Sequence, residues 1–197
     1  MLAALVLLAP LVLTARLDAD AAPVRVELHR TGGAVRGDDR GFLRVIRAGG
    51  EWISPTYRAW GLHAGDLDGD GEDEVVLGIW STTPRHAEPE PHRTVWVLDA
   101  RGAALYERWR GSALGRPLRD LRVDASTPIA TLFALETTPG GCALSAYRWN
   151  GFGFGGRARA PVPCAPFCDP IAPCVTTPVG PRRARLDGRA LTLEPWP

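Results

Sequence analysis

Trp60-Gly61-Leu62-His63-Ala64-Gly65-Asp66-Leu67-Asp68-Gly69-Asp70-Gly71-Glu72-Asp73-Glu74-Val75-Val76-Leu77-Gly78-Ile79-Trp80 is the stretch that decides the fold. It reads as an apolar run, an acidic turn and a second apolar run. Both runs are short and rich in β-branched or aromatic residues, the composition of strands, with glycine and aspartate marking the bend between them. The turn holds six carboxylates within nine residues. Asp66, Asp68 and Asp70 stand at alternate positions, which aims their side chains into one concavity; the Glu72 carbonyl can add an oxygen, and Glu74 closes the far side. A donor set made of oxygen alone selects a hard ion, and the turn offers no Cys or His for zinc or copper. Calcium fits best, because it accepts many oxygens in flexible geometry, whereas magnesium keeps its water.

Two other interpretations of the turn compete with this one. Asp-Gly pairs are common in hairpin turns for backbone reasons alone. An empty turn is opposed by electrostatics: two carboxylates about 4 Å apart repel by roughly 4 kcal/mol at an effective dielectric near 20, and several such pairs crowd here. An EF-hand needs a bidentate Glu at the last loop position and a helix on each side. Leu77 occupies that position, and the flanks are strand-like.

The string GDLDGDGEDEVVLG, Gly65 to Gly78, resembles the calcium loop of FG-GAP repeats, also called VCBS repeats, found in the β-propeller of integrin α chains and in many secreted bacterial proteins. The resemblance implies a loop joining two antiparallel strands of one blade, with calcium held by Asp66, Asp68, Asp70, the Glu72 carbonyl and Glu74. Glu74 departs mildly from the family, where Asp is commoner at that position. The motif covers about twenty residues and implies nothing about catalysis.

Outward from this stretch the chain continues as short strands and turns. Val24, Val26 and Leu28 alternate with polar residues, the period of a half-buried strand. Gly41 to Arg47 repeats the pattern, and Glu74 to Trp80, apolar on both faces, reads as a central strand. Thr94 to Leu98 and Ala103 to Trp109 form a hairpin around Asp99-Ala100-Arg101-Gly102, Ala143 to Trp149 pairs with Phe152 to Phe154 across Asn150-Gly151, and a last hairpin turns at Asp187-Gly188. Placing Asp66 over Asp124 brings Val75 to Gly78 over Phe133 to Glu136, a faint repeat whose second copy has Ser126, Pro128 and Leu132 in place of acids. The fold class is therefore all-β, with antiparallel blade-like sheets in a partial or small β-propeller-like arrangement. Only two to three blades fit before Pro161, fewer than the usual minimum of about four.

With 197 residues and 45% hydrophobic content, the chain is large enough for a real core. Its formal charge of +1 gives no reason to expect nucleic acid. Leu2 to Leu13 is an apolar run followed by small residues, so residues 1–21 read as a signal peptide; retention of the run as a membrane tether, or burial as a core strand, are its other interpretations. A β domain at 22–160, a proline- and cysteine-rich segment at 161–181 and a hairpin at 182–197 would follow. Export to the periplasm, the cell surface or the medium suits Cys142, Cys164, Cys168 and Cys174, an even set that permits two disulfides in three connectivities, with Cys142 tied to one of the other three.

Signals of catalysis are poor. The chain has no GxSxG elbow, P-loop, HExxH or dinucleotide fingerprint. His63 lacks an orienting partner in the sequence, and the prolines of His86-Ala87-Glu88-Pro89-Glu90-Pro91-His92 would splay any ligand set. Seven tryptophans can fill a core or present a surface for a protein or carbohydrate, and the strand positions favour the core. The expected function is that of a calcium-stabilised binding or scaffolding module, not an enzyme; the alternatives are a secreted hydrolase with a structural calcium and a membrane-tethered surface protein.

Overall fold

The computed structural model describes residues 6–7, 9–18, 21–32, 40–83, 91–111, 114–169 and 172–196. The loop carrying His86, Glu88 and Glu90, and parts of the stretch read as a signal peptide, lie outside them. All regular structure among the described residues is antiparallel β, in four sheets. The first contains β1 (Val6–Leu7), β2 (Leu11–Ala15), β3 (Val24–Gly32), β4 (Arg40–Arg47) and β5 (Gly50–Ile53), with both β1 and β2 paired to β3. The second is a four-stranded meander of β6 (Ala59–Gly65), β7 (Glu74–Ser81), β8 (His92–Arg101) and β9 (Ala104–Arg110). The third repeats that plan with β10 (Leu118–Asp124), β11 (Thr131–Thr138), β12 (Gly141–Trp149) and β13 (Phe154–Val162), and the fourth holds β14 (Cys174–Thr177), β15 (Gly180–Asp187) and β16 (Ala190–Pro195).

Four sequential up-and-down sheets exceed the two to three blades that the sequence suggested. The difference has two sources. Residues 11–15, inside the stretch read as a signal peptide, pair along β3 from Leu11 opposite Leu28 to Ala15 opposite Val24. Ala15 and Leu17 are then buried in the core, which is the buried-strand interpretation of that run. At the other end, the cysteine-rich segment contributes β14, which joins the C-terminal hairpin in a sheet of its own.

The chain divides into two compact units: Met1–Ala64 with Asp70–Ser112, and Gly65–Gly69 with Ala113–Pro197. In the first, Val26, Leu28, Leu43 and Val45 from one sheet meet Val75, Leu77, Ile79 and Leu98 from the next around one core. The second has its own core, where Phe133, Leu135, Leu144 and Ala146 pack with Val175, Ala184 and Phe167. The expected central strand is confirmed: β7 lies between β6 and β8 and is buried along Glu74–Trp80, because its apolar residues face both ways. β11 holds the same place in the third sheet, so the faint repeat overlays the second strands of two meanders. The turn expected at Asp99 to Gly102 is tighter than the sequence suggested, since Arg101 already pairs with Ala104.

The tryptophans are buried or half-buried, in two kinds of setting. Trp52 and Trp96 pack against the first core, whereas Trp60 and Trp80 both lie against the Arg93 guanidinium, at 4.7 and 5.0 Å from its carbon. Gly78 makes that possible, because the Trp60 ring occupies the space in which a Cβ would stand 2.5 Å from it.

The cysteines pair as Cys142–Cys164 and Cys168–Cys174, in accord with the expected link from Cys142 to the proline-rich segment. That segment forms a strap beside β10. The Phe167 N–H donates to Asp120, the Arg122 Nε donates to the Asp169 carbonyl at 2.9 Å, and the Arg122 guanidinium lies over the Phe167 ring.

Candidate metal centre in the β6–β7 turn

Gly65 ends β6 and Glu74 begins β7, so the acidic turn links adjacent antiparallel strands. Its path is set by backbone chemistry. Gly69 and Gly71 take φ values of 87° and 92°, a region that side-chain-bearing residues disfavour. Asp66 Oδ1 accepts the Gly69 N–H at 2.6 Å and Asp70 Oδ1 accepts the Glu72 N–H at 2.8 Å, local bonds typical of aspartate in turns. Leu67, 1% exposed, anchors the turn from below.

Three of the expected ligands converge. One carboxylate oxygen from each of Asp66, Asp68 and Glu74 lies within 4.8 Å of the others. Oxygens bound to one calcium at 2.3–2.6 Å lie at most about 5 Å apart, so this trio fits a single ion. Glu74 is buried, and its Oε1 accepts a hydrogen bond from Arg108 Nη1 on β9. A carboxylate has about four lone-pair sites, so that contact orients the group and leaves it able to ligate. Asp70 falls outside the trio, with Oδ1 committed to the Glu72 N–H, and Glu72 enters the turn through that backbone bond. Asp73, not expected as a ligand, bridges elsewhere: its Oδ2 accepts the Arg16 N–H and its own N–H donates to the Arg16 carbonyl.

The corresponding turn after β10 has no such trio among the described residues. Asp124 Oδ1 accepts the Ser126 N–H at 3.1 Å and faces Arg183 Nη2 at 3.7 Å, so a guanidinium supplies its positive charge. His63 lies in β6, and His92 is buried at the start of β8 opposite Ser81.

Sequence reasoning missed a buried polar network in the third sheet. Glu136 on β11 is fully buried; its Oε1 accepts from Tyr147 Oη and the Arg116 N–H, and its Oε2 accepts from Ser145 Oγ and, at 3.4 Å, from Arg159 Nη2. Ser145 Oγ also accepts from Arg159 Nε, and Tyr147 Oη accepts the Gly115 N–H. The available signal was an acid in an apolar strand run, but its partners become visible only with the strand register. Ser145 and Tyr147 each donate to Glu136 and accept one further hydrogen bond, which makes the group a structural clasp across β11, β12 and β13.

Burial, followed by the charge of Glu136, pushes the Tyr147 hydroxyl up to about 12. The folded state then keeps a proton that the unfolded chain loses from about pH 10, so stability falls as pH rises between those values. A loss of about 2 kcal/mol is expected across that window, beyond the background of Tyr147→Phe. Denaturant midpoints measured along the alkaline limb check it; parallel curves for the two proteins would count against the clasp.

Scans of protein-family models, curated proteins and solved structures found no match to this chain.

Proposed function

We propose that this chain is an exported, calcium-stabilised β-repeat protein of the FG-GAP type that acts as a binding or scaffolding module for a protein or carbohydrate. The convergence of Asp66, Asp68 and Glu74 within 4.8 Å carries the proposal. A divalent ion there would offset the mutual repulsion of the carboxylates and fix the β6–β7 register, and its binding free energy would add to folding stability. Two disulfides favour an oxidising compartment, and outside the cytoplasm even a weak calcium site, with a dissociation constant of about 10⁻⁴ to 10⁻³ M, fills.

Calorimetric titration of the chelator-treated protein tests the proposal. Calcium at about a hundred times its dissociation constant is expected to add about 2.7 kcal/mol of stability. Asp68→Ala should remove most of that increment. Asp124→Ala should leave it intact, because that residue faces Arg183. The absence of calcium binding at millimolar ion, or equal losses in the two variants, would reduce the turn to an acidic hairpin.

A further inference from the structure

The exposed large apolar side chains of the second unit gather at one end. Among its described residues they are Ile129, Phe152 and Val179, at 42%, 80% and 74% exposure. Each sits on a turn: Ile129 between β10 and β11, Phe152 between β12 and β13, and Val179 between β14 and β15. In an up-and-down sheet the first and third turns share an end, and Arg148 Nη1 at the Phe152 turn donates to the Ile129 carbonyl. The third tip follows from the strap. Going up β10 toward its turn, Asp120 meets Phe167, Arg122 meets Asp169, and Asp124 faces Arg183, the register partner of Cys174. The strap therefore climbs with β10 as far as Asp169, β14 starts where Cys174 bonds back to Cys168, and as the first strand of its own sheet, running as β10 does, it would bring Val179 to the same end.

The charges around these tips are arranged in two groups. Arg148 and exposed Arg157 stand beside the Phe152 turn, close enough that the charge of Arg157, after partial burial, lowers the Arg148 pKa. The first half of the acidic turn shares this end, since the Asp66 carbonyl accepts the Ala130 N–H at 2.6 Å and Gly69 lies against Ile129.

Three bare apolar tips on separate turns do not make the contiguous central patch on which a protein partner packs. They suit a fluid interface, where each tip finds its own gap between headgroups and neighbouring arginines meet phosphate. We propose that this end of the second unit docks on an anionic phospholipid surface, with Phe152, Val179 and Ile129 entering the headgroup region and Arg148 and Arg157 contacting its phosphates. One part rests on the proposed cation site: Asp66 and Asp68 repel an anionic surface until an ion neutralises them.

Co-sedimentation of the full chain with vesicles of phosphatidylcholine containing phosphatidylserine, in calcium and in chelator, tests this. Binding is expected in calcium, weaker in chelator, and weaker on phosphatidylcholine alone. The double variant Phe152→Ser/Val179→Ser should bind at least about tenfold more weakly, because two exposed apolar side chains no longer leave water. Both positions are exposed, so the fold is not at risk, and the variant should titrate calcium as the parent does. Arg157→Glu should lose the preference for phosphatidylserine while keeping residual binding. Failure of the calcium-loaded parent to sediment with vesicles, or undiminished sedimentation of the double variant, would overturn the proposal. Sedimentation that depends on Phe152 in a chain that binds no calcium would support the docking and reject the cation site.

Discussion

Glu136→Ala should destabilise the protein by about 3 to 5 kcal/mol, the range for removing one partner of a buried charged network. The side chain has no exposure, so its loss leaves a void that neighbouring strands cannot close without shifting. Tyr147, Ser145 and the Arg116 N–H lose their acceptor together. Each buried donor left without a partner costs about 1 to 3 kcal/mol. Arg159 contributes less, because it is 41% exposed and water replaces the lost carboxylate. Glu136→Gln keeps an acceptor and the shape, and should recover a large part of the loss. Urea unfolding of the three proteins decides this; a drop below about 1 kcal/mol for Glu136→Ala would mean that the donors find other partners.

Replacing Cys142 and Cys164 together by alanine is expected to cost about 3 kcal/mol. The bond closes a loop with a sequence separation of 22, and the chain-entropy relation gives that magnitude. Cys168–Cys174 spans only 6 residues and should contribute about 2 kcal/mol on the same relation. The larger effect has a structural counterpart: Cys142 is a core residue of the second unit, so the bond ties the strap to packed structure. Denaturant midpoints of the two double variants measure the order, and equal losses from both would contradict the loop-length account.

The second sheet was legible because its information is local. Alternating or continuous apolar runs bounded by Asp-Gly pairs specify strands and turns with little help from the rest of the chain. The Asp66, Asp68 and Glu74 convergence was legible for the same reason, since all three lie within nine residues. Asp70 and Glu72 stand outside that trio, and the bond from the Glu72 N–H to Asp70 Oδ1 is a local contact that spacing alone does not display. β2 was hidden because an apolar run near the start of a chain has the composition of both a signal and a strand, and its pairing with β3 becomes visible only in the structure. The Glu136 clasp draws on three strands and a loop, so no window of sequence displays it.

The strap beside β10 also bears on the order in which the chain must mature. β10 is the edge of the third sheet, and an uncovered strand edge is a template for pairing with another chain. Phe167 and Asp169 reach β10 from a segment bracketed by Cys164 and Cys174, both held by disulfides. With the thiols reduced, the strap would be held by the Phe167 core contact and these side-chain bonds alone, and a β10 edge left bare would be open to pairing with a strand of another copy.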